Sequence, residues 1–195
     1  MKAVNTILAS LVVAGVLATG AQAQDTMKVQ KPFSIKVGGI FFGDGDTKDA
    51  IGNSTVTVGL GYDFLKTRST NPVIFQGYVD YLAPRSRTMG DGDGGSIRSE
   101  LDYVFGFGVN ARYAFLQQPS IGFIPYGFAG IGFYTGRASV SGNGIDESDT
   151  ENGFGGKLGL GAELKEGIFG ELEYNFIDLG DANLNGFGAR IGYRF

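Results

Sequence analysis

Residues 101–115 read Leu-Asp-Tyr-Val-Phe-Gly-Phe-Gly-Val-Asn-Ala-Arg-Tyr-Ala-Phe. The odd positions, Leu101, Tyr103, Phe105, Phe107, Val109, Ala111, Tyr113 and Phe115, are all apolar or aromatic. The even positions include Asp102, Gly106, Gly108, Asn110 and Arg112. Successive side chains of a strand point to opposite faces, so this period of two predicts one long β-strand. One of its faces is bulky and greasy; the other is glycine and charge.

The same alternation recurs on both sides of this stretch. Val56, Val58, Leu60, Tyr62 and Phe64 alternate with Thr55, Thr57, Gly59, Gly61 and Asp63. Phe187, Ala189, Ile191, Tyr193 and Phe195 alternate with Gly188, Arg190, Gly192 and Arg194. Eight strands are expected in all, at 33–42, 55–64, 73–83, 101–115, 123–136, 153–164, 168–177 and 186–195. The gaps between them run 12, 8, 17, 7, 16, 3 and 8 residues, longer on average at one end of the meander than at the other. No 3.6-residue period follows residue 24, so no helix, linker or second domain is expected there. The fold class is all-β: an eight-stranded antiparallel up-and-down transmembrane β-barrel.

Bulk and polarity both decide which face meets lipid. A soluble eight-stranded barrel also alternates, with its apolar face inward. The interior of eight strands is just wide enough to be filled by side chains, and large rings from every strand would overfill it. Turning Arg112, Lys157, Arg190 and Arg194 toward lipid would cost up to ~2–4 kcal/mol each near the midplane. The rings therefore face outward. Hydrocarbon tolerates no open sheet edge, so the eighth strand must close on the first.

That orientation sends Lys36, Arg112, Lys157, Arg190 and Arg194 into the lumen with Asp63, Asp80, Asp102, Glu163, Glu171 and Glu173. Near-balanced charge in a tight space predicts mutual pairing, because unpaired buried ions are costly. The expectation is a lumen plugged by salt bridges; the alternative is solvated charge in a wet lumen.

Composition narrows the function classes. The 195 residues include 34 Gly, 16 Phe and 9 Tyr but no Trp, Cys or His. Disulfides, thiolate nucleophiles, imidazole bases and His-ligated metals are excluded. Residues 1–23 read as a signal peptide: Lys2, an apolar run from Ile7 to Ala18, and Ala21-Gln22-Ala23 as a small-x-small cleavage site. The barrel domain is then 24–195. Removing the signal takes one of sixteen basic residues and none of the twenty acids, leaving a net charge of −5. An acidic exported chain argues against nucleic acid as a partner.

The last strand, Gly186 to Phe195, ends on a terminal Phe with Ile191 and Tyr193 at alternate positions before it. This pattern resembles the outer-membrane assembly signal read by the bacterial insertion machinery. Pro125-Tyr126 with Ala129-Gly130-Ile131-Gly132, Gly161-Ala162-Glu163, Leu172-Glu173-Tyr174 with Asp178-Leu179-Gly180, and Tyr193-Arg194-Phe195 resemble the OmpA-like/opacity-type small barrel family. The likeness covers about residues 120–195; the first half matches in pattern alone. It implies a structural, adhesive or immune-facing surface protein of the Gram-negative outer membrane, and in some members a narrow channel. Its partners would be outer-membrane lipid and lipopolysaccharide, the insertion machinery during assembly, and an unidentified extracellular ligand. A monomer is expected.

Other constellations carry less. Asp44, Asp46 and Asp49, and Asp91 with Asp93, resemble fragments of a calcium loop, but neither completes the ligand set with a closing Glu. No metal site or cofactor is expected. Glu171 and Glu173 share a face, as paired catalytic carboxylates would, but Arg190 and Arg194 are nearer explanations for them. The leading expectation is a non-enzymatic surface barrel acting through loops 84–100 and 137–152. The alternatives are a narrow channel for small solutes or ions, an outer-membrane enzyme, and a soluble ligand-binding barrel.

Overall fold

The computed structural model describes residues 26–27, 31–67, 72–90, 96–115, 122–142, 145–180 and 182–195. The expected signal peptide, 1–23, lies outside them, as do Asp91 and Asp93. Eight long strands form the wall: β1 (Phe33–Phe42), β2 (Ser54–Thr67), β3 (Val73–Leu82), β4 (Ser96–Ala114), β5 (Phe123–Gly142), β6 (Ile145–Leu164), β7 (Ile168–Leu179) and β8 (Gly186–Arg194). Each pairs antiparallel with its sequence neighbours. β8 then pairs with β1, from Gly186 opposite Phe42 to Arg194 opposite Ser34, which closes the ring. No edge is left within the barrel, as hydrocarbon requires.

The predicted orientation holds. Phe105 and Phe107 are 45% and 55% exposed, while Arg112 and Glu173 are 8% and 3% exposed. The outward rings form a continuous apolar belt, with cross-strand pairs such as Phe107–Phe133 and Phe133–Phe154, both 5.6 Å between centroids. The end of β2, the start of β3, the end of β4, the start of β5 and the turn 165–167 lie at the end that also carries the start of β1 and the end of β8. In this architecture that end is periplasmic and the long connections are extracellular.

Four features depart from the sequence-based expectation. First, the lumen is not lined by small residues alone. Tyr78, Tyr126, Phe128, Tyr134 and Phe169 are buried inside it. They fit because they lie flat on glycines of adjoining strands. A Cβ on Gly155 would meet Tyr134 Cε2 at 2.7 Å, and one on Gly106 would strike the opposite edge of the same ring. The glycines thus give the rings room, and the rings cover backbone that glycine leaves bare.

Second, the alternation of β4 breaks. The register shifts between Leu101 and Tyr103, so Leu101 turns inward and is 5% exposed. A bulge inserts one residue and reverses the facing of everything beyond it. Third, the stretches expected as loops 84–100 and 137–152 are largely strand. Arg85–Gly90 pairs with β4, and β5 and β6 stay paired out to Gly142 and Ile145. They make a four-stranded ribbon above the apolar belt.

Fourth, a helix exists where none was expected: α1 (Gly45–Ile51). Asp44 starts it by accepting a hydrogen bond from the Thr47 amide at 2.9 Å. Gly52, at φ 97°, stops it. α1 packs against the extracellular end of the barrel. Its Ile51 joins Ile40, Phe42, Leu82, Leu101, Val104, Ile177, Leu179 and Leu184 in an apolar cluster. The Thr47 hydroxyl donates to the Asn183 carbonyl at 2.7 Å, tying the helix to the last extracellular connection.

Candidate functional site in the barrel lumen

Below the apolar cluster the lumen is ionic, and its charges fall into two storeys. The alternation of each strand aims these groups inward, and the staggered register stacks them along the axis.

The storey at mid-height centres on Asp80 of β3. Its two oxygens accept from Lys157 Nζ at 2.5 Å and Arg190 Nη1 at 2.6 Å. Arg190 Nη2 continues to Glu173 Oε1 at 2.6 Å, which also accepts from Asn175 Nδ2 at 3.0 Å. Lys36 Nζ meets Glu171 Oε2 at 3.0 Å, and the Tyr126 hydroxyl donates to the other Glu171 oxygen at 3.0 Å. Lys157 Nζ also sits 3.5 Å above the centroid of the Tyr78 ring. The hydroxyls of Tyr78 and Tyr134 are 3.3 Å apart. Three cations thus meet three carboxylates from five strands.

The storey nearer the periplasm is a square of two arginines and two acids. Arg112 reaches Asp63 Oδ2 at 3.0 Å and Glu163 Oε2 at 2.8 Å. Arg194 contacts the same Asp63 oxygen and lies 3.2 Å from the same Glu163 oxygen. Gln76 donates to Asp63 Oδ1 at 2.7 Å, completing that carboxylate. The Arg112 guanidinium lies 5.0 Å from the Tyr126 ring centroid, so Tyr126 links the two storeys.

Ten of the eleven residues expected in a lumen network come together here: Lys36, Asp63, Asp80, Arg112, Lys157, Glu163, Glu171, Glu173, Arg190 and Arg194. Asp102 is elsewhere. It lies on the ribbon, 3.4 Å from Arg137 Nε, and accepts from the Ser139 hydroxyl at 3.2 Å. The β4 bulge is the reason: it turns Leu101 inward and Asp102 out. With Asp102 outside, five cations face five acids, and the interior is neutral. Among the described residues, Thr57 Oγ1, Asn110 Oδ1, Glu173 Oε2 and Arg190 Nε are buried in the same region without a hydrogen-bond partner. No group of three potential metal ligands comes together among the described residues. Asp44, read in sequence as part of a calcium-like loop, serves instead as the cap of α1.

Sequence reasoning missed Tyr78, Tyr126 and Tyr134 as members of this network. Tyr78 stands at a lumen-facing step of β3 between Gln76 and Asp80, a signal that was legible. Ile191, Tyr193 and Phe195 face outward, at 60%, 45% and 57% exposure.

The family model for the outer membrane protein beta-barrel domain matches residues 8–195. Among curated protein sequences there is no significant match. Among solved structures, Ail, the attachment invasion locus protein of Yersinia pestis, is similar at 15% identity and a TM-score of 0.50, covering 84% of this chain and 97% of that one. Neisserial surface protein A aligns at 16% identity over 87% and 100% of the two chains, with a TM-score of 0.47. The outer membrane enzyme PagL aligns at 14% over 83% and 99%, with a TM-score of 0.48. At 15% identity the likeness to Ail is one of fold. The match across nearly the whole chain and the closed, lipid-facing ring lead to one assignment: this chain belongs to the outer membrane protein beta-barrel domain family and is a β-barrel of the cell outer membrane.

Proposed function

We propose that the chain is a non-enzymatic surface barrel. Its lumen is closed by its own side chains, and it contributes to envelope structure while contacting extracellular molecules through the ribbon. One observation supports the closed reading: Ile40, Leu82, Val104 and Ile177 pack together in the outer part of the lumen, none more than 1% exposed. Ions crossing the barrel would have to pass that hydrocarbon and then displace two storeys of paired charge. Hydrophobic constrictions of this kind shut pores by excluding water. The lack of His and Cys supports a non-catalytic role, since acyl transfer and lipid hydrolysis ordinarily use one of them. The outward Ile191, Tyr193 and Phe195 support the reading of the last strand as the segment presented to the insertion machinery. The outward belt as a whole supports contact with lipid and lipopolysaccharide.

Planar-bilayer recording of the folded protein tests the closed lumen. The expected trace is silent. Steady single-channel steps would establish the second reading, a narrow channel for small ions. That reading draws on the partnerless Arg190 Nε and Glu173 Oε2, which water in the lumen would satisfy. For the surface role, deleting 84–100 and 137–152 should leave insertion intact and abolish surface binding. Binding that survives the deletion would remove the ribbon from the mechanism.

A further inference from the structure

Seven of the eight neighbouring pairs in the ring join strands that follow one another in the chain. Turn type and loop length help to set the register of such pairs. The eighth pair, β8 with β1, has no turn of its own to set it. Its outward residues are Phe33, Ile35, Val37 and Phe41 on β1 and Phe187, Ile191 and Tyr193 on β8, all exposed on the lipid side. Lipid tails are as apolar as these side chains and fill in around any pairing of them. The backbone ladder repeats at every second residue and so has no preference either. The inward rows differ. Gly186, Gly188, Arg190, Gly192 and Arg194 of β8 lie opposite Phe42, Ile40, Gly38, Lys36 and Ser34 of β1. Each large side chain faces a small residue. Lys36, Arg190 and Arg194 are all buried. Gly38 leaves Arg190 its place: a Cβ there would stand 2.7 Å from Arg190 Cα.

We propose that Lys36, framed by Arg190 and Arg194, selects the register in which the barrel closes. A one-residue slip would turn the inward charges of one strand toward lipid. The smallest slips that keep the facing are therefore of two residues. One sets Arg190 directly opposite Lys36, and the other sets Arg194 there. Like charges directly opposite one another destabilise a strand pair. In the observed register Lys36 faces Gly192 instead, and its ammonium meets Glu171 Oε2 of β7 at 3.0 Å. The slip that brings up Arg194 carries a second penalty, since it sets Arg190 against Ile40 in the apolar cluster. The slip that brings up Arg190 carries none: Gly186 would face Ile40, and Gly188 would face Gly38. Against that slip the charge of Lys36 decides.

The ion pairs of the lumen fit this role. Asp63 of β2 meets Arg194 of β8, Asp80 of β3 meets Arg190 of β8, and Lys36 of β1 meets Glu171 of β7. All three cross the seam, so they form when the first strands meet the last ones in register. Fixing a register is the best-attested use of buried charge, which adds little to stability for its cost. The consequence reaches the whole wall, because the closing register sets the shear and with it strand tilt and barrel width. The inference is independent of whether the lumen conducts, since an open barrel needs its register fixed as well.

The test reads the register by NMR of the whole protein in detergent micelles. Phe33 and Phe195 exchange both backbone hydrogen bonds, so Val37 and Ile191, an even number of steps along, form a pair of the same kind. Their amide protons lie close enough for a cross-strand contact. After the slip that sets Arg190 opposite Lys36, the contact would run from Val37 to Ala189 instead. The unaltered chain should show the Val37–Ile191 contact alone. Lys36→Met keeps the length and drops the charge, and it should add the Val37–Ala189 contact. Lys36→Glu should lose most of the Val37–Ile191 contact to Val37–Ala189, because the slip then sets an acid opposite Arg190. Lys36→Arg keeps the charge and should show the Val37–Ile191 contact alone. A sole Val37–Ile191 contact in Lys36→Met would mean that bulk sets the register and would overturn the proposal. The same contact alone in Lys36→Glu would overturn it too, as would a Val37–Ala189 contact in Lys36→Arg or in the unaltered chain. Should one of the Met and Glu variants not fold, the other decides. Failure of both to close into a barrel would make Lys36 a support of the wall without a choice of register, and the proposal would fall.

Discussion

The two halves of the lumen are filled by different physics, and the border between them is one step wide. On β3 the inward positions run Gln76, Tyr78, Asp80 and then Leu82; on β7 they run Glu171, Glu173, Asn175, Ile177 and Leu179. The ionic half depends on direction and exact partner count, because each buried charge must find its counter-ion. The apolar half needs only volume filled at close packing. The same strand can serve both, since the wall fixes position and leaves the inward side chain free to vary.

The largest expected break in this comparison is Asp80→Ala. It takes from Lys157 and Arg190 the Asp80 oxygens they meet at 2.5 and 2.6 Å, leaving Lys157 without a carboxylate partner among the described residues and Arg190 with Glu173 alone. Removing one partner from a buried pair costs about 3–5 kcal/mol. Urea unfolding in detergent micelles, followed by heat-modifiable gel mobility, reads the loss. A cost below about 1 kcal/mol would mean that water already solvates the storey and that the two halves differ less than their geometry indicates.

Next comes Leu82→Ala, in the apolar half. Leu82 is 1% exposed, and its deletion is expected to cost about 3 kcal/mol through lost burial and a residual cavity. The contrast lies in the mild replacement. Leu82→Met keeps the volume and should cost less than about 1.5 kcal/mol. A mild change in the ionic half, Asp80→Asn, keeps the shape but removes the charge that two cations require, and it should resemble Asp80→Ala. If Leu82→Met proved as damaging as Asp80→Asn, the apolar half would also depend on exact shape.

Much of the wall was legible in the sequence, because period two is a direct consequence of strand geometry. The inward direction of Arg112, Lys157, Arg190 and Arg194 followed from the cost of placing them in lipid. Three things were hidden. The β4 bulge cannot be seen in an alternation that continues unbroken on both sides of it, so Leu101 and Asp102 exchanged roles. The inward places of Tyr126 and Tyr134 are not legible because the glycines that make room for them, such as Gly161, Gly106 and Gly155, belong to other strands. The apolar cluster is not legible because it is assembled from one or two residues each of β1, β3, β4, β5 and β7, with Ile51 and Leu184. Such short runs carry no period of their own.

The smallest expected effect falls on α1, which touches only the apolar half. Asp44→Ala removes the side-chain acceptor of the Thr47 amide and should cost about 1 kcal/mol. The helix is only seven residues long, so it persists through its contacts: Ile51 in the apolar cluster, Thr47 on Asn183, and Arg87 on the Lys48 carbonyl. Losing the cap should therefore loosen the mouth without unfolding the wall. Amide hydrogen exchange should rise at Thr47 and Lys48, while the amides of β3 and β7 beside the ionic storeys keep their protection. Bilayer recordings should stay silent, since the charge pairs below are untouched. Current through Asp44→Ala would show that the apolar end alone keeps the barrel shut, and the ionic storeys would then be structural ties within the wall instead of a second seal.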